Sequence, residues 1–95
     1  MRIRTSPGEI LLEEFMKPLG LSGNALAREL KVPANRINDI VRRRREVTAD
    51  TALRLARYFG TTARFWLNAE AAYALSEAEA ESGQAISAEV RPRAA

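Results

Sequence analysis

Ser22-Gly23-Asn24-Ala25-Leu26-Ala27-Arg28-Glu29-Leu30-Lys31-Val32-Pro33-Ala34-Asn35-Arg36-Ile37-Asn38-Asp39-Ile40-Val41 reads as two short amphipathic helices joined by a tight turn, and Arg42-Arg43-Arg44-Arg45 follow at once. Ser22 suits a helix cap, and Ala25, Leu26, Glu29 and Leu30 recur at helical spacing until the pattern ends near Leu30 and Lys31. Val32 anchors the turn, and Pro33 presets the backbone for a new helix from about Ala34. Helices separated by three or four residues are the outline of a helix-turn-helix. At about 100° per residue, Ile37, Ile40 and Val41 form one apolar strip, and Asn35, Asn38, Asp39 and Arg42 fall on the other side.

Those outward residue types suit DNA. Asparagine can pair bidentately with adenine, aspartate can accept from cytosine, and arginine can meet guanine or phosphate. Arg36 lies on the flank of the helix, nearer the sugar-phosphate backbone. A solvated helix face would carry the same residues, so the inference rests on the neighbouring helix and the arginines together. Four adjacent cations repel one another unless an anion is near, and a phosphate backbone would relieve that repulsion.

The rest of the chain supplies a body for this element. Ser6 and Pro7 start a first helix carrying Ile10, Leu11, Phe15 and Leu19, stopped by Pro18 and Gly20. Thr48 caps a fourth helix, with Leu53, Leu55, Ala56 and Phe59 on its apolar face and Gly60 after it. Thr62 caps a fifth, where Phe65, Trp66, Leu67, Ala69, Ala72, Tyr73 and Leu75 spread over more than one stripe. That width predicts a homodimer surface including Phe65, Trp66, Ala69 and Tyr73, with burial in the core as the competing fate of Trp66. The expectation is one all-α domain of five helices over residues 1–81, followed by a tail, 82–95, that is flexible or forms a short extended segment at Ile86 and Val90.

Composition narrows the function. The 95 residues suffice for one core, and no cysteine or histidine is present. Disulfides, thiolate nucleophiles and the commonest metal ligands are therefore excluded, and no cofactor or metal is expected. Neither a glycine-rich phosphate loop nor a pair of converging carboxylates suggests an enzyme, because Glu13 and Glu14 diverge on a helix. No apolar run approaches the ~20 residues of a membrane span, and the start lacks the pattern of a signal peptide, so the cytoplasm is the expected location. Residues 1–60 carry 12 Lys or Arg against 7 Asp or Glu, whereas residues 61–95 carry 3 against 5. The basic part favours a polyanion, and nucleic acid is the leading one.

Taken together, Pro7-Gly8-Glu9-Ile10-Leu11, Asn24-Ala25-Leu26-Ala27, Val32-Pro33-Ala34-Asn35-Arg36-Ile37-Asn38, Thr48-Ala49-Asp50-Thr51-Ala52-Leu53-Arg54-Leu55 and Phe65-Trp66-Leu67-Asn68 resemble the compact HigA-type antitoxins of the phage-repressor-like helix-turn-helix group. The resemblance spans about Pro7 to Tyr73. It implies a five-helix dimer that binds double-stranded operator DNA at its own promoter and neutralises a HigB-type (RelE-like) ribonuclease toxin encoded beside it. Applied to this chain, Asn35 and Asn38 become the leading base readers, Asp39 and Arg36 the second pair, and Ser22, Asn24, Arg42, Arg43 and Arg44 the phosphate contacts. A toxin would dock on a rigid surface such as the first helix and the strand-like Arg2-Ile3-Arg4. The alternatives are a stand-alone repressor without a toxin, or a protein-interaction module.

Two positions depart from the family pattern. Arg43 stands where a loop glycine is usual, and Lys31 stands where many such domains carry a turn glycine. A side chain forced to positive φ costs on the order of 1 kcal/mol.

Overall fold

A computed structural model describes residues 5–94. The expected strand-like Arg2-Ile3-Arg4 lies outside the described residues. Five helices pack around one core, and no strand occurs among the described residues. Helix α1 runs as three continuous segments, Pro7–Ile10, Leu11–Met16 and Lys17–Leu19. Then come α2 (Gly23–Leu30), α3 (Ala34–Val41), α4 (Ala49–Phe59) and α5 (Ala63–Glu89).

The helix starts follow from local chemistry. Ser6, Ser22, Thr48 and Thr62 each accept the N–H three residues on, which satisfies a donor that the first turn would leave orphaned. Pro18 does not stop α1 as expected. It has no N–H and its ring would strike the Glu14 carbonyl of a regular α-helix; the middle segment is instead a π-helix, where the Lys17 N–H reaches back to the Leu12 carbonyl. The helix ends at Gly20, in the left-handed region at φ 65°.

The ends of α2 and α3 use the same device with costlier residues. Lys31 sits at φ 61° and Arg43 at φ 59°. After α2, the N–H groups of Lys31 and Val32 bond to the Arg28 and Ala27 carbonyls; after α3, those of Arg43 and Arg44 bond to the Ile40 and Asp39 carbonyls. Both are Schellman turns, whose pivotal residue is ordinarily glycine. The Lys31 side chain is exposed, with no hydrogen bond or ion pair to a described residue. Lys31→Gly should therefore raise stability by about 0.5–1 kcal/mol, relief of the left-handed penalty exceeding the added chain entropy. A lower urea midpoint than wild type would contradict this.

The core joins Leu11 and Met16 of α1, Leu26, Ala27 and Leu30 of α2, Ile37 and Ile40 of α3, Val47, Ala52 and Leu55 around α4, and Trp66 of α5. Phe15 and Phe59 pack against it, their ring centroids 4.9 Å apart. Two expected core residues face outward: Leu53 is 63% exposed and Leu19 62%.

The largest departure is α5. Its 27 residues continue through Ser82 to Glu89, so neither a break at residue 82 nor an extended segment at Ile86 is found; Val90 follows as the helix cap. Such a helix is about 40 Å long, which accounts for an elongated molecule of 51 × 23 × 21 Å. Beyond Ser76 nearly every residue is exposed. Alanine and glutamate at 77–81 and 85–89 are strong helix formers, and they sustain the helix without a buried face.

Candidate nucleic-acid interface

The interface is built where α2 and α3 meet. Ile37 and Ile40 anchor α3 in the core, and this turns Asn35 fully outward with Asn38 and Asp39 half-buried beside it. The Asn38 Nδ2 donates to the Asn24 Oδ1 at 3.3 Å, so the two asparagines form one polar patch across the helix pair. Gly23 makes room for it: a Cβ there would lie 2.0 Å from the Asn38 Oδ1. Ser22 is occupied as the α2 cap, accepting from Ala25 at 3.0 Å.

Arg36 points toward α4, its Nη1 at 2.7 Å from the Asp50 Oδ2. The same oxygen receives the Arg54 Nε at 2.9 Å, and Arg54 also donates to the Leu30 carbonyl at 2.8 Å. The hydrogen bond from Arg54, with that from Arg36, outweighs desolvation and holds the Asp50 carboxyl below its ordinary range. The chain Arg36–Asp50–Arg54 therefore ties the first turn of α3 to the end of α2 and closes that end with a cation.

The four arginines do not act alike. Arg42, Arg44 and Arg45 are exposed, with no side-chain partner among the described residues. Arg43, expected to hold phosphate, turns inward. Its guanidinium faces the Glu70 carboxylate of α5: Nη1 donates to Oε1 at 2.8 Å, and Nη2 lies 2.8 Å from Oε2 as an ion pair without a hydrogen bond. The guanidinium carbon also lies 4.5 Å from the Tyr73 ring centroid. Glu70 accepts in addition the Val47 N–H at 2.9 Å. Burial pushes the Glu70 carboxyl up, but the Arg43 and Val47 hydrogen bonds and the Arg43 charge together hold it below the usual glutamate range. The ion pair and the aromatic face offset the cost of Arg43 at positive φ. Arg43, expected on a phosphate, thus has an internal partner 27 residues away.

Glu70 and Asp50 were not singled out from the sequence. Glu70 left a readable trace: it shares the inward face of α5 with Trp66 and Tyr73 at spacings of four and three, and an acid on a buried stripe demands a cation.

Of the expected dimer residues, Trp66 is 0% exposed within one chain, the core placement that was its competing fate. Phe65 is 41% exposed, and Ala69 and Tyr73 are half-buried. Among the described residues no helix is long and apolar enough to cross a membrane.

The helix-turn-helix family model matches residues 12–66, more than half of the chain. Virulence-associated protein I of Dichelobacter nodosus is 62% identical over 73 residues, covering 77% of this chain and 68% of the relative. Among solved structures, the Pseudomonas aeruginosa antitoxin HigA with the higBA promoter is 48% identical, with a TM-score of 0.89 over 95% of this chain and 98% of that one. The antitoxin GraA in complex with its operator is 46% identical, with a TM-score of 0.91 over 100% of this chain and 95% of that one.

Proposed function

Because this chain belongs to the helix-turn-helix family, we propose that it is a cytoplasmic antitoxin that binds the operator of its own operon as a homodimer, represses it, and neutralises a HigB-type ribonuclease toxin. The observation that carries the reading is the outward Asn35 face of α3, followed at once by three outward arginines, in a fold that matches antitoxins solved with promoter and operator DNA.

In this reading α3 enters the major groove, with Asn35 and Asn38 on bases and Asp39 beside them. Ser22, Asn24, Arg42 and Arg44 lie along the phosphates. Arg36 reads at the flank, oriented by Asp50. Two-fold pairing of chains through the exposed side of α5, Phe65 and Ala69 included, gives half-sites about one helical turn, ~34 Å, apart. The toxin partner follows from the antitoxin relatives rather than from any site geometry.

The test is a gel shift with the DNA immediately upstream of the gene at ~150 mM salt, challenged with unrelated duplex. A complex that survives the competitor supports the DNA half, and one that is lost to it overturns that half. Asn35→Ala should weaken binding by about 1–3 kcal/mol, with the loss confined to one base position per half-site. An equal loss on every sequence would remove Asn35 from base reading. Co-expression with the adjacent reading frame tests the other half: without co-purification and growth rescue, a stand-alone repressor remains.

A further inference from the structure

Glu70 is buried on α5, away from the outward face of α3, and holds both ends of the arginine loop. Its Oε1 accepts from the Arg43 Nη1 at 2.8 Å and from the Val47 N–H at 2.9 Å, while Oε2 lies 2.8 Å from the Arg43 Nη2 as an ion pair and accepts no hydrogen bond from the described residues. Arg43 is the pivot of the turn that ends α3, and Val47 is buried in the core just before α4. The segment between them is therefore pinned at both ends by one carboxylate, with Arg44 and Arg45 exposed on the span and Arg42 exposed beside it. We propose that Glu70 is a positioning residue for DNA binding, which acts through Arg43 and Val47 to aim Arg42 and Arg44 at the phosphates.

This rests on the DNA-binding reading above and adds to it a residue that never touches DNA. A flexible loop would let the three free arginines splay apart to lower their mutual repulsion, and docking would have to reverse that at an entropic cost. Four neighbouring cations are converted into one internal strut and three outward contacts.

The sign of the expected effect is diagnostic. Replacing Glu70 by glutamine removes a negative charge, and Coulomb attraction alone would then tighten binding to a polyanion. Releasing Arg43 toward a phosphate would tighten it further and steepen the salt dependence. Positioning predicts the reverse.

The probe is a generic 30-bp duplex, since phosphate contacts are independent of sequence. Titrations run over a salt series, with helical content checked by circular dichroism. Glu70→Gln should bind about tenfold more weakly, with the slope of log K against log salt reduced by roughly one phosphate contact. Arg43→Lys keeps the charge but loses the planar guanidinium that sets two nitrogens against the carboxylate, and should weaken binding in the same direction. Should Glu70→Gln prove unfolded, Arg43→Lys decides alone. Unchanged or tighter binding by the folded variants overturns the proposal while leaving the DNA reading intact. If wild-type protein fails to bind the duplex even at the lowest salt of the series, where non-specific phosphate contacts are strongest, the DNA reading itself falls.

Discussion

Gly8→Ala should lower stability by about 3 kcal/mol and weaken DNA binding beyond what the lost folded population explains. A glycine in the first turn of a helix would ordinarily gain from the change, since alanine restricts the unfolded chain and favours the helix by up to ~1 kcal/mol. Packing reverses the sign here. A Cβ on Gly8 would stand 2.0 Å from the Ile40 carbonyl oxygen, 2.8 Å from its carbon and 3.0 Å from the Val41 Cα. All three are backbone atoms, so no side chain can swing aside. The Ile40 carbonyl also accepts the Arg43 N–H in the turn after α3, and its retreat would break that bond. The start of α1 must therefore move away from the end of α3, and the loop arginines shift with it. Gly83→Ala is the internal control: it sits within α5, where a Cβ would meet only the Glu79 Cβ at 3.9 Å, and should stabilise by roughly 0.5–1 kcal/mol. Denaturant midpoints for the two variants should move in opposite directions. A neutral Gly8→Ala would mean that α1 and α3 are not in backbone contact.

What could be read from the sequence was what local chemistry decides. The four caps at Ser6, Ser22, Thr48 and Thr62 fall where expected, because a hydroxyl three residues before a free N–H is a short-range signal. The positive φ of Lys31 and Arg43 was foreshadowed by their standing in glycine positions. Pro18 does not end the helix because a π turn lets a helix pass a proline, and nothing nearby in sequence announces that turn. The continuation of α5 has no apolar periodicity to mark it, because residues 77–89 hold their helix by backbone propensity. Arg43 shows the wider limit. Its neighbours Arg42 and Arg44 are chemically identical, and only a carboxylate 27 residues on sends it inward. A tetrad of arginines carries no local mark of which member is structural.

Trp66→Ala should be the most damaging single change in the chain, costing about 3–5 kcal/mol. Trp66 is completely buried. Its ring centroid lies 5.2 Å from that of Phe15 and 5.0 Å from that of Phe65, and its Nε1 donates to the Thr61 Oγ1 at 2.8 Å. Truncation would empty the space between α1 and α5 and leave the Thr61 hydroxyl without its donor. Against a total stability of about 5–15 kcal/mol for a domain of this class, that is a large share, and at ~4–8 °C per kcal/mol the melting temperature should fall by tens of degrees. Trp66→Phe keeps most of the apolar volume and the ring contacts, and should cost less than half as much. The measurement also separates the two fates that the sequence left open for this residue. A tryptophan at a dimer interface, once removed, would leave a folded monomer whose deficit against the dimeric wild type shrinks on dilution, because the wild type then dissociates too. A core tryptophan unfolds each chain alike at any concentration. Melting curves for Trp66→Ala at two protein concentrations a hundredfold apart should therefore show the same deficit against wild type, while Phe65→Ala, at the exposed end of the same aromatic cluster, is the variant whose deficit should depend on concentration if α5 pairs two chains.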